Sequence, residues 1–161
     1  MFGVLNTKKN MILIAPMDGE VISLQDVPDT VFSQMMLGDG IAIKPSKGLV
    51  VSPCNGNVVQ ISHTNHAIGI ETDEGAEVLI HIGIDTVELK GQGFERILEV
   101  GDRVNVGDAL IKVDLDYIIA AGKSTITAII VTNMEKVHKI SKVTGICKRG
   151  ESEIMKVEIK Y

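Results

Sequence analysis

This sequence predicts an all-β fold: an antiparallel β-sandwich or barrel with an internal duplication and one or two short helical turns. Three observations predict it. From Met11 onward, short runs rich in Val and Ile alternate with glycine-bearing turns at the spacing of antiparallel strands. Aromatic residues make up only 3% of the chain and tryptophan is absent, so Val, Ile, Leu and Met must fill the core, a composition that favours sheet. A strand-turn-strand unit also repeats. Ala15-Pro16-Met17-Asp18-Gly19-Glu20-Val21 returns 37 residues later as Ser52-Pro53-Cys54-Asn55-Gly56-Asn57-Val58, and Gly40-Ile41-Ala42-Ile43 returns 27 residues later as Ala67-Ile68-Gly69-Ile70.

A chain of 161 residues suits one domain, which we take to span residues 11–161 behind a flexible tail at 1–10, where Lys8, Lys9 and Asn10 interrupt any apolar period. Strands follow in ILIAPMDGEVISL, GDGIAIKPSKGLVVSP, NGNVVQIS, AIGIETDEG and EVLIHIGID. The two repeat offsets differ by about ten residues, and the excess falls in DVPDTVFSQMM (Asp26 to Met36). With Pro28 ahead of Val31, Phe32, Met35 and Met36, this insert reads as a short helical turn, serving either as a core lid or as an apolar rim to a site. Beyond the central hairpin, Gly91–Val100 is a loop and strand, and two Gly-Asp turns frame short strands in Val100–Asp114. LDYIIAAGKST is the one segment able to form a helix of about two turns, with Asp114 or Asp116 as N-cap. TAIIVTNM and SEIMKVEIKY close the sheets.

A net charge of -5 with no basic cluster argues against nucleic acid as a partner and is compatible with a basic protein partner. The apolar piece Met11–Ala15 is too short to span a membrane and follows no signal-type leader, so a cytoplasmic location is expected. Cys54 and Cys147 lack metal-type spacing and read as reduced, packed thiols.

Chemistry concentrates in VLIHIGIDTVE, Val78 to Glu88. Alternation places Val78, Ile80, Ile82 and Ile84 on one face and Leu79, His81, Gly83 and Asp85 on the other. The preceding TNHAIGI reads as a second arm with Thr64, His66, Ile68 and Ile70 on one face, and DEG (Asp73 to Gly75) as the turn. An even loop, or a bulge at Gly75, would set His66 beside His81. One imidazole can carry a phosphoryl group if one ring nitrogen keeps its proton on an acceptor, such as a carbonyl near Gly83. A second imidazole can donate to the transferring group, with the Thr64 hydroxyl fixing its tautomer.

Other readings of the same residues are weaker. His81 and Asp85 have H-x-x-x-D spacing, but residues i and i+4 of a straight strand lie about 13 Å apart and cannot share one zinc ion. His63 faces away from His66, and His138 lies in the polar segment MEKVHKISK; both read as surface residues. AAGKST lacks the first glycine of a P-loop, whose place Tyr117 occupies.

DGEVISLQDVPDTVF, GDGIAIKP, TNHA, HIGIDTVELKGQGF, KST and NM together resemble the glucose-type IIA component of the bacterial phosphoenolpyruvate-dependent sugar phosphotransferase system, over nearly the whole chain from Met11. The resemblance implies a flattened antiparallel β-sandwich or barrel with a duplicated hybrid motif, a shallow apolar depression, and a phosphotransferase component carrying phosphohistidine. His81 would be phosphorylated on Nε2, His66 would hydrogen-bond the phosphoryl group, Thr64 would orient His66, and the Gly83 carbonyl would hold Nδ1–H. Asp29 and Asp85 would meet an arginine of the donor, and Val31, Met36, Leu37 and Val87 would form the docking rim. Ser62 stands where relatives often carry an aromatic. The implied donor is the histidine-containing phosphocarrier protein and the acceptor a IIB domain of a sugar permease, through which alone the protein would be peripheral to the membrane. No cofactor is required in this reading, although zinc could sit at His66 and His81 with a carboxylate from a regulated partner.

Two alternatives belong to other classes. A zinc-dependent lysostaphin-type peptidase shares a related β architecture and H-x-x-x-D, but it also expects an H-x-H pair, which this chain lacks. A biotinyl or lipoyl carrier would present its lysine in a motif such as M-K-M, and none occurs.

Overall fold

The structure, a computed structural model, describes residues 8–160. Its first strands are β1 (Lys8–Ile14) and β2 (Gly19–Ser23), followed by a 3-10 turn at Leu24–Asp26 and the short helix α1 (Thr30–Ser33). Next come β3 (Asp39–Pro45), β4 (Leu49–Val51), β5 (Gly56–Ile61), β6 (Ala67–Thr72) and β7 (Glu77–Ile84), then a 3-10 turn at Thr86–Leu89. The second half comprises β8 (Phe94–Arg96), β9 (Arg103–Val104), β10 (Ala109–Val113), α2 (Leu115–Ala120), β11 (Ser124–Val131), β12 (Val137–Lys142), β13 (Gly145–Cys147) and β14 (Glu153–Lys160).

An open eight-stranded sheet, ordered β13-β2-β3-β11-β7-β6-β5-β9, is accompanied by two three-stranded sheets, β1-β14-β12 and β4-β10-β8. The strand pairs are antiparallel, and the sheets form a β-sandwich with no closed barrel among the described residues. The duplication is visible in the register. Gly19↔Pro45 and Val21↔Ile43 between β2 and β3 recur as Gly56↔Thr72 and Val58↔Ile70 between β5 and β6. Both repeats need glycine for the same steric reason: a Cβ would lie 2.1 Å from the Lys44 carbonyl oxygen at Gly19 and 2.2 Å from that of Glu71 at Gly56. The eight-stranded order maps onto itself about the β11–β7 pair, with β3 matching β6 and β2 matching β5.

Period-2 alternation builds the main core. Val78, Ile80 and Ile82 point inward with Ile41, Ile43, Ile68, Ile70 and Ile129, each buried. A fully buried aliphatic side chain of this size stabilises the fold by about 1.5–3 kcal/mol. The opposite face of the large sheet carries a second, smaller cluster, in which Leu24, Val27 and Phe32 of the insert cover Ala42, Ala128 and Ile130. The insert therefore covers this cluster as a lid, while Val31, Met35, Met36 and Leu37 of the same segment remain exposed.

Several expectations are corrected. The first strand begins at Lys8 rather than Met11, since Lys8–Ile14 pairs along its length with β14; residues 1–7 of the expected tail lie outside the described residues. The polar run around His138 forms β12, and Gly145–Cys147 forms an edge strand on β2. Ile84 leaves the face of Ile82 and packs on the smaller cluster. Asp114, not Asp116, caps α2, with its Oδ1 accepting from the Tyr117 N–H at 3.0 Å. Cys54 and Cys147 are buried free thiols. Among the described residues no helix is long and apolar enough to cross a membrane.

Candidate functional site

Cross-strand pairing aligns Ile22, Ala42, Ala128, His81 and Ala67 in one row across β2, β3, β11, β7 and β6. Directly paired residues share a face, so His81 stands between two methyl-sized neighbours, and the sheet leaves room around its imidazole. Phe32 of the insert fills one side of that room, its ring centroid 4.9 Å from that of His81 at an interplanar angle of 56°.

Two residues beyond His81 the strand kinks. Gly83 has φ of 79°, where a side chain would be strained, and its carbonyl accepts a hydrogen bond from His81 Nδ1 at 3.0 Å. A carbonyl can only accept, so Nδ1 carries the proton and Nε2 keeps a free lone pair. Asp85 follows in a left-handed conformation (φ 60°), and the 3-10 turn after it carries Val87 outward. The straight-strand separation expected for His81 and Asp85 therefore does not apply: the chain bends, and both side chains line one depression.

His66 reaches the site by a route the alternation did not anticipate. It lies just before β6, in a turn where Asn65 has φ of 61°, and it is not an in-register strand residue. Ala67 pairs with His81, so a regular continuation of β6 would have put His66 on the core face with Ile68. No register shift occurs between β6 and β7; the turn does the work instead. The His66 carbonyl still accepts from the Ile82 N–H at 2.7 Å, while its ring meets that of His81 edge-on, with centroids 4.9 Å apart and planes 80° apart. Thr64 Oγ1 lies 2.5 Å from His66 Nδ1, as expected, and Ser62 Oγ lies 3.2 Å from the same nitrogen. Ser62 also accepts from the Ala67 N–H at 3.1 Å. Sequence reasoning missed this second hydroxyl; its one local signal was a serine four residues ahead of a histidine across a turn.

Burial, reinforced by the neighbouring His81, lowers the His66 pKa to about 4. Burial also pulls His81 below the ordinary histidine value, opposed by its hydrogen bond to Gly83 and by the charges of Asp29 and Asp85. Both rings are accordingly neutral near pH 7, the state in which an imidazole nitrogen can act as nucleophile. Asp29 is held in place as the N-cap of α1, accepting from the Val31 N–H at 2.9 Å.

The resulting depression, of about 210 Å³, is lined by Asp29, Val31, Phe32, Leu37, His81, Asp85, Thr86 and Val87. Met36 is exposed on the same insert but does not line it. His63 and His138 are exposed, and Lys123 of AAGKST pairs with Glu88 at 2.6 Å. Among the described residues no three His, Cys, Asp or Glu side chains converge as a metal site.

A half-buried imidazole whose Nδ1 proton is locked, edge-on to a buried second imidazole and opening on a shallow depression, presents a free Nε2 as nucleophile. Residues 11–137 match the family model described as phosphoenolpyruvate-dependent sugar phosphotransferase system, EIIA 1. The chain belongs to the EIIA 1 family. EIIA components carry a phosphoryl group on histidine, which makes this one a transferase of the sugar phosphotransferase system. Similar EIIA proteins include the "PTS system glucose-specific EIIA component" of Bacillus cereus, 44% identical over 99% of this chain and 98% of the relative. The "PTS system glucose-specific EIICBA component" of Staphylococcus saprophyticus is 53% identical over 76% of this chain, which corresponds to 18% of that longer protein. Among solved structures, glucose permease IIA from Mycoplasma capricolum superposes with a TM-score of 0.87 at 40% identity, covering 92% of this chain and 96% of that one. Membership in the EIIA 1 family lends the zinc-peptidase alternative no support.

Proposed function

We propose that His81 is the phosphoryl carrier of this chain. It takes the group from the histidine-containing phosphocarrier protein and passes it to the IIB domain of a sugar permease, with glucose the favoured sugar because the similar proteins carry that name. The observation that carries this reading is the Nδ1–Gly83 hydrogen bond, which leaves the Nε2 lone pair available at a solvent-facing depression. In the first transfer the donor's N–P bond breaks as the His81 Nε2–P bond forms. Nδ1 keeps its proton, so no proton need leave the site, and the second transfer reverses the exchange onto the acceptor. Such transfer depends on positioning and charge stabilisation more than on covalent assistance.

His66 supplies the second part: with Nδ1 accepting from Thr64 and Ser62, its Nε2–H is free to donate to a phosphoryl oxygen. Asp29 and Asp85 would pair with an arginine of the donor, and Val31, Leu37, Val87 and, further out, Met36 offer the apolar contact that successive partners share. This role places the protein in the cytoplasm, touching the membrane only through the permease. No cofactor takes part in the transfer. Should zinc bind, His66 and His81 provide two of its ligands, and a partner carboxylate would have to help complete a tetrahedral set. The test is a relay reconstituted with labelled phosphoenolpyruvate: His81→Ala should take up no label, and His66→Ala should take it up but pass it on slowly. Normal labelling of His81→Ala would overturn the assignment.

A further inference from the structure

We propose that Thr86 is a positioning residue that holds His81 in its accepting tautomer by fixing the Gly83 carbonyl; this rests on the reading of His81 just given. The problem it solves lies in the backbone. Gly83 departs from strand geometry at φ 79°, and the β7–β11 register shifts between Ser124 and Thr127, so the ladder is interrupted where the anchor of His81 must be held. Thr86 is completely buried and grips this kink at two points. Its hydroxyl donates to the Ile82 carbonyl, on one side of Gly83. Its methyl occupies the space beside the Gly83 α-carbon, where a Cβ would come within 2.4 Å of Thr86 Cγ2 and 2.8 Å of the Ser124 carbonyl oxygen. Thr86 thereby holds the Ile82–Gly83 peptide and the Gly83 α-carbon, fixing the point from which the Gly83 carbonyl reaches to 3.0 Å of His81 Nδ1. Which imidazole nitrogen carries the proton is set by the bond the other makes. A carbonyl free to swing away would let the proton settle on Nε2, removing the lone pair that accepts phosphorus.

Thr86→Val keeps the shape and removes the hydroxyl; Thr86→Ser keeps the hydroxyl and removes the methyl. Both are made in the full chain and read by imidazole proton–nitrogen correlation spectra of the unphosphorylated protein and by single-turnover phosphoryl uptake. Thr86→Val should show a mixed His81 tautomer, unchanged His66 signals and uptake slowed at least about tenfold, the scale of one lost hydrogen bond. Thr86→Ser should keep the wild-type tautomer and a rate within about twofold of wild type. Folded Thr86→Val with the wild-type tautomer overturns the proposal, whatever its rate. If Thr86→Val does not fold, Thr86→Ala decides, since it removes both the hydroxyl and the methyl: a folded Ala variant with the wild-type tautomer and an uptake rate within about twofold of wild type overturns the proposal as well. The spectra need no phosphoryl donor, so a failure of the carrier reading, seen as normal labelling of His81→Ala, is distinct from a failure of this one.

Discussion

His66 meets His81 edge-on at a centroid distance of 4.9 Å although Ala67, not His66, is the cross-strand partner of His81. The approach depends on the turn around Asn65 and on the two hydroxyls that hold His66 Nδ1, and each can be removed separately.

Thr64→Val deletes the shorter contact and Ser62→Ala the longer one. Onward transfer from the phosphorylated protein to the permease domain should slow more for Thr64→Val, by up to about tenfold for a hydrogen bond of about 1 kcal/mol, and less for Ser62→Ala. Wild-type rates in both variants would mean that the hydroxyls do not orient the ring.

The lowered histidine pKa values make stability depend on pH. In the unfolded chain His66 binds a proton near its ordinary value of 6.5, whereas in the fold it does so only near 4. Between those limits the unfolded state holds more protons, so stability is fully present above about pH 6.5 and falls as pH drops towards 4. Urea unfolding from pH 7.5 to 4 should show this slope, flattened in His66→Gln.

Gly83→Ala forces a side chain into a left-handed backbone and against Thr86 and Ser124. A loss of roughly 1–3 kcal/mol is expected. Uptake of label should fall with it, because the His81 anchor moves; denaturant midpoints and relay assays check the two effects.

Val87→Asp alters a residue that is 51% exposed, so stability should change by less than about 0.5 kcal/mol. The concentration of donor giving half-maximal uptake should nonetheless rise, since docking would have to desolvate a carboxylate where the valine offers apolar contact. An unchanged value would remove Val87 from the docking surface.

The duplication predicts paired outcomes. Gly19→Ala and Gly56→Ala each drive a Cβ to within about 2 Å of a partner-strand carbonyl oxygen, and the two should lower the melting temperature by similar amounts.

Much of this was legible locally. The repeat offsets of 37 and 27 residues reappear as matched strand pairs, and the alternation of Val78, Ile80 and Ile82 is the alternation observed. Proximity of the histidines, the Thr64 contact and the Gly83 carbonyl were anticipated, and the structure brings those groups together.

By itself, then, the sequence determined the fold class, the duplicated strand-turn-strand units and the strand that bears His81, because period-2 alternation and turn preferences act over a few residues. Only the tertiary structure decided how His66 turns off its strand, that Phe32 packs on the His81 ring, that Ser62 joins Thr64, that Thr86 braces the kink, and that the polar segment 137–142 and the short segment 145–147 are strands. These depend on partners distant in the chain: β12 is a strand because β14 lies beside it, and His66 faces His81 because a left-handed turn overrides the face that alternation would assign.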